Sequence, residues 1–196
     1  YFVGGEIDDP SALLVQTPES LRAALALDVR PGNEVIAVDA EARTVTVRSA
    51  EGLEQIEYDA LVLSPGASAF VPPIPGVDSP RIRTLRTVED AIALREKVDA
   101  GARRAVVLGA GFIGIEAAEA LAAQGLEVSV VEMAPQPLPP VEPELAWLVS
   151  EELRALGIDL HVGVAATSIE HDTDVDTAVL ADGTRLAADL IVLSVG

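Results

Sequence analysis

Apolar residues recur along this chain with two spacings, and the switches between them mark out strands and helices. Asn33–Val38 and Thr44–Arg48 alternate or run apolar with turn residues between them, and Gln55–Tyr58 continues that meander. Ala60–Ser64 reads as a short buried strand. Thr17-Pro18-Glu19-Ser20 opens a helix with Leu21, Ala24 and Leu25 on one face, ending near Ala26. Beyond the proline-rich stretch Val71–Gly76, Thr87 is placed to cap a helix running to about Val98. Ala105–Leu108 reads as a buried strand, Phe112–Gln124 as a helix, and Leu126–Val131 as a second strand ending in Glu132. Pro143 stands near the first turn of another helix, through Leu145, Leu148, Val149 and Leu153, stopped by Gly157. Trp147 is expected on or near its apolar face, packed in the core. Strand Ile158–Val162, with His161 as a packed or boundary residue, leads into a meander over Thr167–Glu170, Thr177–Leu180 and Thr184–Leu186. Leu190–Ser194 closes the region as a buried strand. Helical periods between apolar strands predict an α/β fold, a Rossmann-like parallel sheet covered on both faces, with the antiparallel meander as an added flap.

One run carries specific chemistry. Ala105 to Glu116 contains Gly109-x-Gly111-x-x-Gly114 between a strand and a helix. Each glycine has a role in holding a dinucleotide: Gly109 for the tight turn, Gly111 for approach of the pyrophosphate, Gly114 for close packing of helix on strand. The free N–H groups of the first helical turn, around Phe112, Ile113 and Gly114, then face the phosphates. Glu132 follows Gly111 by 21 positions, near the ~20 expected of an acid that binds a ribose 2′-hydroxyl. A glycine turn alone is weak, but strand, turn, helix, second strand and terminal acid in this order supply the confirming context. A carboxylate at Glu132 would repel a 2′-phosphate, and Met133, Ala134 and Pro135 offer no arginine to receive one. NAD(H) is therefore expected over NADP(H).

Composition narrows the partners. The 196 residues carry 32 acids against 13 bases, a formal charge of −19, which argues against nucleic acid and anionic membranes. The bland reading is a solvated acidic surface. No unbroken apolar run reaches the ~18 residues of a membrane span, and acidic, turn-rich Gly4–Pro10 does not read as a signal peptide. A cytoplasmic protein with a small-molecule substrate is expected. Cysteine is absent, so no disulfide framework, thiolate metal site or cysteine nucleophile exists within this chain. His161 and His171 sit on different segments, so no metal site is expected.

Four stretches together resemble the flavin-dependent pyridine nucleotide-disulfide oxidoreductases: Tyr1–Gly5, Leu13–Glu19, Leu63–Ser68 and Gly109–Glu116. They look most like the branch of coenzyme A-disulfide reductases, NADH oxidases and persulfide reductases. The resemblance implies residues 1–80 as part of an FAD-binding domain and residues 81–196 as the NAD(H)-binding domain inserted into it. It also implies a chain that is the middle of a longer enzyme, homodimeric when intact, with the family's redox cysteine upstream of Tyr1. Such an enzyme passes hydride from NADH to FAD and on to a disulfide, a persulfide or oxygen. The chain alone would bind NAD(H) and turn nothing over.

By the same resemblance, Val35 would bond the flavin adenine through its backbone, and Ser64 and Gly66 would lie against the ribityl and pyrophosphate. Glu116 would sit near the nicotinamide–flavin contact as the catalytic candidate, although it reads equally as a solvated helix charge. Gly196 would let the nicotinamide half pass the strand end. Ala24 and Leu25 are neutral where coenzyme A-disulfide reductases can carry a base, which puts coenzyme A disulfide in doubt as substrate. Two other readings stay open: a ferredoxin- or rubredoxin-reductase relative, and a stand-alone nucleotide-binding module. A Tyr-x-x-x-Lys dehydrogenase pair is absent, since Gly5 and Val62 occupy the fourth positions after Tyr1 and Tyr58.

Overall fold

The fold is described from a computed structural model over residues 1–195. Its chain divides into two compact units, Leu14–Ala67 and the remainder, Tyr1–Leu13 with Ser68 onward.

In the smaller unit, helix α1 (Pro18–Leu25) starts where the side chain of Thr17 accepts a bond from the Ser20 N–H and Ser20 Oγ accepts one from the Thr17 N–H. This reciprocal capping satisfies two amides that a helix end leaves orphaned. Ala26, in the left-handed conformation, ends the helix as expected, but none of its residues is buried. Strands β1 (Glu34–Asp39), β2 (Thr44–Ser49) and β3 (Gly52–Glu57) form an antiparallel sheet in that order. Only central β2 buries side chains, Val45 and Val47, on one face by the two-residue period. The expected buried strand Ala60–Ser64 is not formed: the segment has no ladder, and Val62 and Leu63 are 88% and 71% exposed. A strand exists through the groups it bonds to, and among the described residues this apolar run has no partner.

The larger unit is built on a five-stranded sheet. Its elements are β4 (Ile82–Thr84), α2 (Val88–Asp99), β5 (Arg104–Leu108), α3 (Phe112–Ala123), β6 (Glu127–Glu132), α4 (Pro143–Ala155), β7 (Asp159–Val162), β8 (Ala166–His171), β9 (Asp176–Leu180), β10 (Arg185–Ala188) and β11 (Leu190–Leu193). The sheet order is β4-β11-β5-β6-β7, parallel throughout. Strand β4, which sequence spacing did not reveal, is three residues long and rests on β11. Thr87 and Asp90 cap α2 reciprocally, as Thr17 and Ser20 do α1.

Alternation along the strands separates two cores. Ala105, Val107, Val128, Val130, Leu190 and Val192 point to one face, packed with Leu94 of α2, Ala117, Ala118 and Leu121 of α3, and Leu153 of α4. Val106, Leu108, Val131, Ile191 and Leu193 point to the other, against Ile169, Ala178, Leu180 and Ala188 of the β8-β9-β10 meander. The meander is thus the cover of the second face rather than an addition to it, and all three helices pack on the first. Strands buried on both sides carry continuous apolar runs for this reason.

Helix α4 corrects the expectation for Trp147. The helix buries Ala146, Ser150 and Leu153, a spacing of four and three, while Trp147 is 60% exposed and Leu145 and Leu148 are half exposed. The buried face carries Ala146, Ser150 and Leu153, with Val149 packed against the same core, and this face rather than that of Trp147 is the one seated on the sheet. His161 is a boundary residue as expected, with its Nε2 2.8 Å from Asp159 Oδ2. No helix among the described residues is long and apolar enough to cross a membrane.

Candidate functional site

A cleft of about 580 Å³ opens at the carboxyl ends of β5, β6 and β11 in the larger unit. From β5 the chain moves outward to β6 and β7, then returns to place β11 on β5's other side. The cleft therefore stands where strand order reverses, the place at which open α/β sheets hold ligands.

The turn leaving β5 is shaped by its glycines in three different ways. Gly109 has a φ of 106°, outside the range comfortable for side chains, and a Cβ there would stand 2.7 Å from the Ser194 carbonyl oxygen. A Cβ on Gly114 would stand 2.0 Å from the Gly109 carbonyl oxygen and 2.5 Å from Ser194 Oγ. Both glycines are accounted for by packing within the protein. Gly111 is not: its φ of −75° suits any residue, and a Cβ would meet nothing within 4 Å. Gly111 lines the cleft and is the N-cap of α3 with no side-chain cap bond. The first-turn N–H groups behind it have no partner within the helix. The open space at this backbone fits a group that must come close to it, and the donors there suit an anion.

Glu132 ends β6 at the cleft wall. Its Oε2 accepts from the Ala110 N–H and its Oε1 from the Ala134 N–H, each at 2.8 Å. Ser194, beyond β11, donates its hydroxyl toward the carbonyls of Leu108 and Gly109, each at 3.0 Å, and fastens the strand end to the turn. No lysine or arginine is among the described residues lining the cleft, which is otherwise mostly apolar.

One wall comes from Phe70, Pro72 and Ile74. It is held by the Ile169 N–H, which donates to Pro75 O at 2.8 Å. A second hold lies just beyond, where fully buried Asp176 accepts from Ser79 Oγ and from Arg81 Nη1, with His171 Nδ1 3.1 Å away. The opposite wall is the segment after β6, where Leu138, left-handed at φ 48°, donates its N–H to Ala110 O at 2.8 Å.

The residues expected from the sequence fall into three groups. Gly109, Gly111, Phe112 and Glu132 are brought together in the cleft, and Gly114 lies buried beneath the turn. Ile113 is 48% exposed on the first turn of α3, and Glu116 is exposed one turn on, outside the lining. Val35, Ser64 and Gly66 belong to the smaller unit; Val35 pairs with Val47 in the sheet, and Gly66 has a φ of 72° with nothing within 4 Å of a Cβ. Gly196 lies outside the described residues. Ser194, Leu138 and the Phe70–Ile74 wall were not singled out from the sequence. No local signal marks them, because their places are set by elements far apart in the chain. Among the described residues no cluster of His, Asp and Glu could hold a metal ion.

The sequence profile of the pyridine nucleotide-disulphide oxidoreductases matches residues 5–196. An NADH oxidase of Methanocaldococcus jannaschii is 34% identical over the whole chain, which covers 44% of that protein. Among solved structures, a NAD-dependent persulfide reductase from A. fulgidus superposes with a TM-score of 0.93 at 32% identity, covering 100% of this chain and 38% of that one. A water-forming NADH oxidase from Lactobacillus brevis, solved bound to NADH, superposes at 0.92 with 30% identity, covering 100% of this chain and 43% of that one. The chain spans less than half the length of each of these relatives.

Proposed function

The chain belongs to the pyridine nucleotide-disulphide oxidoreductase family, and from that premise we propose that the cleft of its larger unit is the NADH site of an FAD-dependent oxidoreductase. NAD(H) and FAD are the cofactors expected of this family. The observation that carries the reading is the pairing of open backbone at Gly111 with the Glu132 carboxylate in one cleft. The amides of the α3 first turn bind the pyrophosphate, and Glu132 takes the adenosine ribose hydroxyls. The apolar walls exclude water from the bound cofactor. NADH, when bound, supplies a hydride; the protein's own contribution is to hold and orient it. Glu132 also favours NADH over NADPH, because a 2′-phosphate would meet a carboxylate with no cation among the described lining residues to offset it.

Residues 1–80 are proposed as part of the FAD-binding domain and 81–196 as the NAD(H)-binding domain. Val35, Ser64 and Gly66 would hold the flavin through backbone contacts, for which the unobstructed Gly66 is suited. Glu116 and Gly196 are assigned to the nicotinamide end. The intact enzyme would be a cytoplasmic homodimer passing electrons to a disulfide, a persulfide or oxygen. Isothermal titration of this chain tests the core of the proposal. NADH should bind, and NADPH should bind on the order of ten-fold more weakly or worse, as expected for an uncompensated like-charge contact. No heat with NADH, or equal affinity for the two, refutes it.

A further inference from the structure

Ala110, between the first two glycines of the turn, is wholly buried, yet both of its backbone polar groups are bonded. Its N–H donates to Glu132 Oε2 at 2.8 Å, and its carbonyl accepts the Leu138 N–H at 2.8 Å. Both partners come from a single stretch, Glu132 to Leu138. That stretch is itself drawn in by the Ala134 N–H on Glu132 Oε1 at 2.8 Å. The result is a closed ring: turn, carboxylate, chain to Leu138, and back to the turn.

We propose that Glu132 is a positioning residue for the phosphate-binding turn as well as a ribose ligand, so that this chain cannot give up the carboxylate without loosening its pyrophosphate site. The proposal rests on the cofactor reading above and goes beyond it. A carboxylate has about four acceptor positions. The two amides use one on each oxygen, which leaves one on each for the two ribose hydroxyls. The ribose role and the turn role are therefore compatible and simultaneous. Removal of the carboxylate takes away the acceptor of the Ala110 N–H, at a residue with no exposed surface in the folded chain. Glutamine does not substitute well, since its amide nitrogen would point a donor at one of the two backbone donors. Aspartate keeps both acceptors on a stem one methylene shorter. A single change at Glu132 aimed at accepting NADPH would accordingly weaken the phosphate site that both cofactors need.

The test uses the wild-type chain, Glu132→Ala and Glu132→Asp. The ligands are NADH and its analogue lacking both hydroxyls on the adenosine ribose, and amide exchange is followed in the ligand-free proteins. A ribose ligand alone loses its effect when the hydroxyls are absent from the ligand, as in any double-mutant cycle. The expected result is that Glu132→Ala weakens the dideoxy analogue by about five-fold or more, the lower end of the penalty for an orphaned buried amide. Ala110 amide exchange should quicken by a similar factor while Val107 and Val192 stay as in the wild type. Glu132→Asp should recover part of the analogue affinity. Equal analogue affinity in wild type and Glu132→Ala, with unchanged Ala110 exchange, overturns the proposal. A wild type that binds neither ligand, or binds both equally well, refutes the cofactor or ribose reading instead. In either case the Ala110 exchange rate still decides whether Glu132 holds the turn.

Discussion

Gly111→Ala places a methyl group where the protein has no atom within 4 Å and where the backbone, at φ −75°, accepts any residue. Folding should barely register it. Alanine loses less chain entropy than glycine, a gain of about 0.4–1 kcal/mol, and is a poorer N-cap by on the order of 1 kcal/mol. The two nearly cancel. Binding should respond very differently, because the methyl occupies the approach of the pyrophosphate. Bonds from backbone N–H to a charged oxygen are each worth roughly 1.5–3 kcal/mol. If the phosphate is pushed beyond reach of two of them, NADH affinity falls by about 3–6 kcal/mol, on the order of 10²- to 10⁴-fold. Gly109→Ala is the control in the same turn: with φ 106° and the Ser194 carbonyl oxygen 2.7 Å from the new Cβ, it should lose about 2 kcal/mol or more of stability. Urea unfolding followed by circular dichroism, paired with isothermal titration of NADH, reads both quantities. A Gly111→Ala protein that binds NADH like the wild type, or that unfolds as readily as Gly109→Ala, refutes the reasoning.

Salt should strengthen rather than weaken NADH binding. The chain carries a formal charge of −19 and the cleft lining contributes no cation among the described residues, so raising ionic strength screens repulsion of an anionic ligand. Titrations at about 20 and 200 mM KCl check the sign, and weaker binding at the higher salt contradicts it. Asp189 is held below the ordinary aspartate range by its hydrogen bond with Arg104, aided by the Arg103 and Arg104 amides and opposed by burial. A depressed folded-state pKa contributes stability above the unfolded value of about 4, and that contribution disappears as pH falls through the folded value. The stability difference between wild type and Asp189→Asn should therefore be largest near neutrality and shrink in acid; a difference independent of pH refutes this. In α4, Leu153→Ala should cost about 2–5 kcal/mol, since Leu153 is 2% exposed in the helical core. Trp147→Ala, at a side chain 60% exposed, should cost under about 1 kcal/mol, and thermal melts that reverse this order contradict the placement of the helix.

The readable parts of this chain were those whose cause is local. Thr17 and Thr87 precede residues able to return a bond three places on, so both capping boxes follow from short stretches of sequence. The glycine turn and Glu132 were legible because strand, turn, helix and strand must follow one another to make that cleft. What misled was apolar spacing without knowledge of partners. Ala60–Ser64 has the composition of a strand but no ladder partner among the described residues, and α4 turns Ala146, Ser150 and Leu153 rather than Trp147 to the sheet.

Local sequence determined the two capped helix starts, the strand–turn–helix around the three glycines, and the acid, since backbone sterics and helix ends act over a few residues. The tertiary structure alone decided that the meander is the second cover of the sheet and that Ser194 pins the turn from 85 residues away. It alone brought Leu138 onto Ala110, because these contacts join the segments that leave strands adjacent only in the folded sheet.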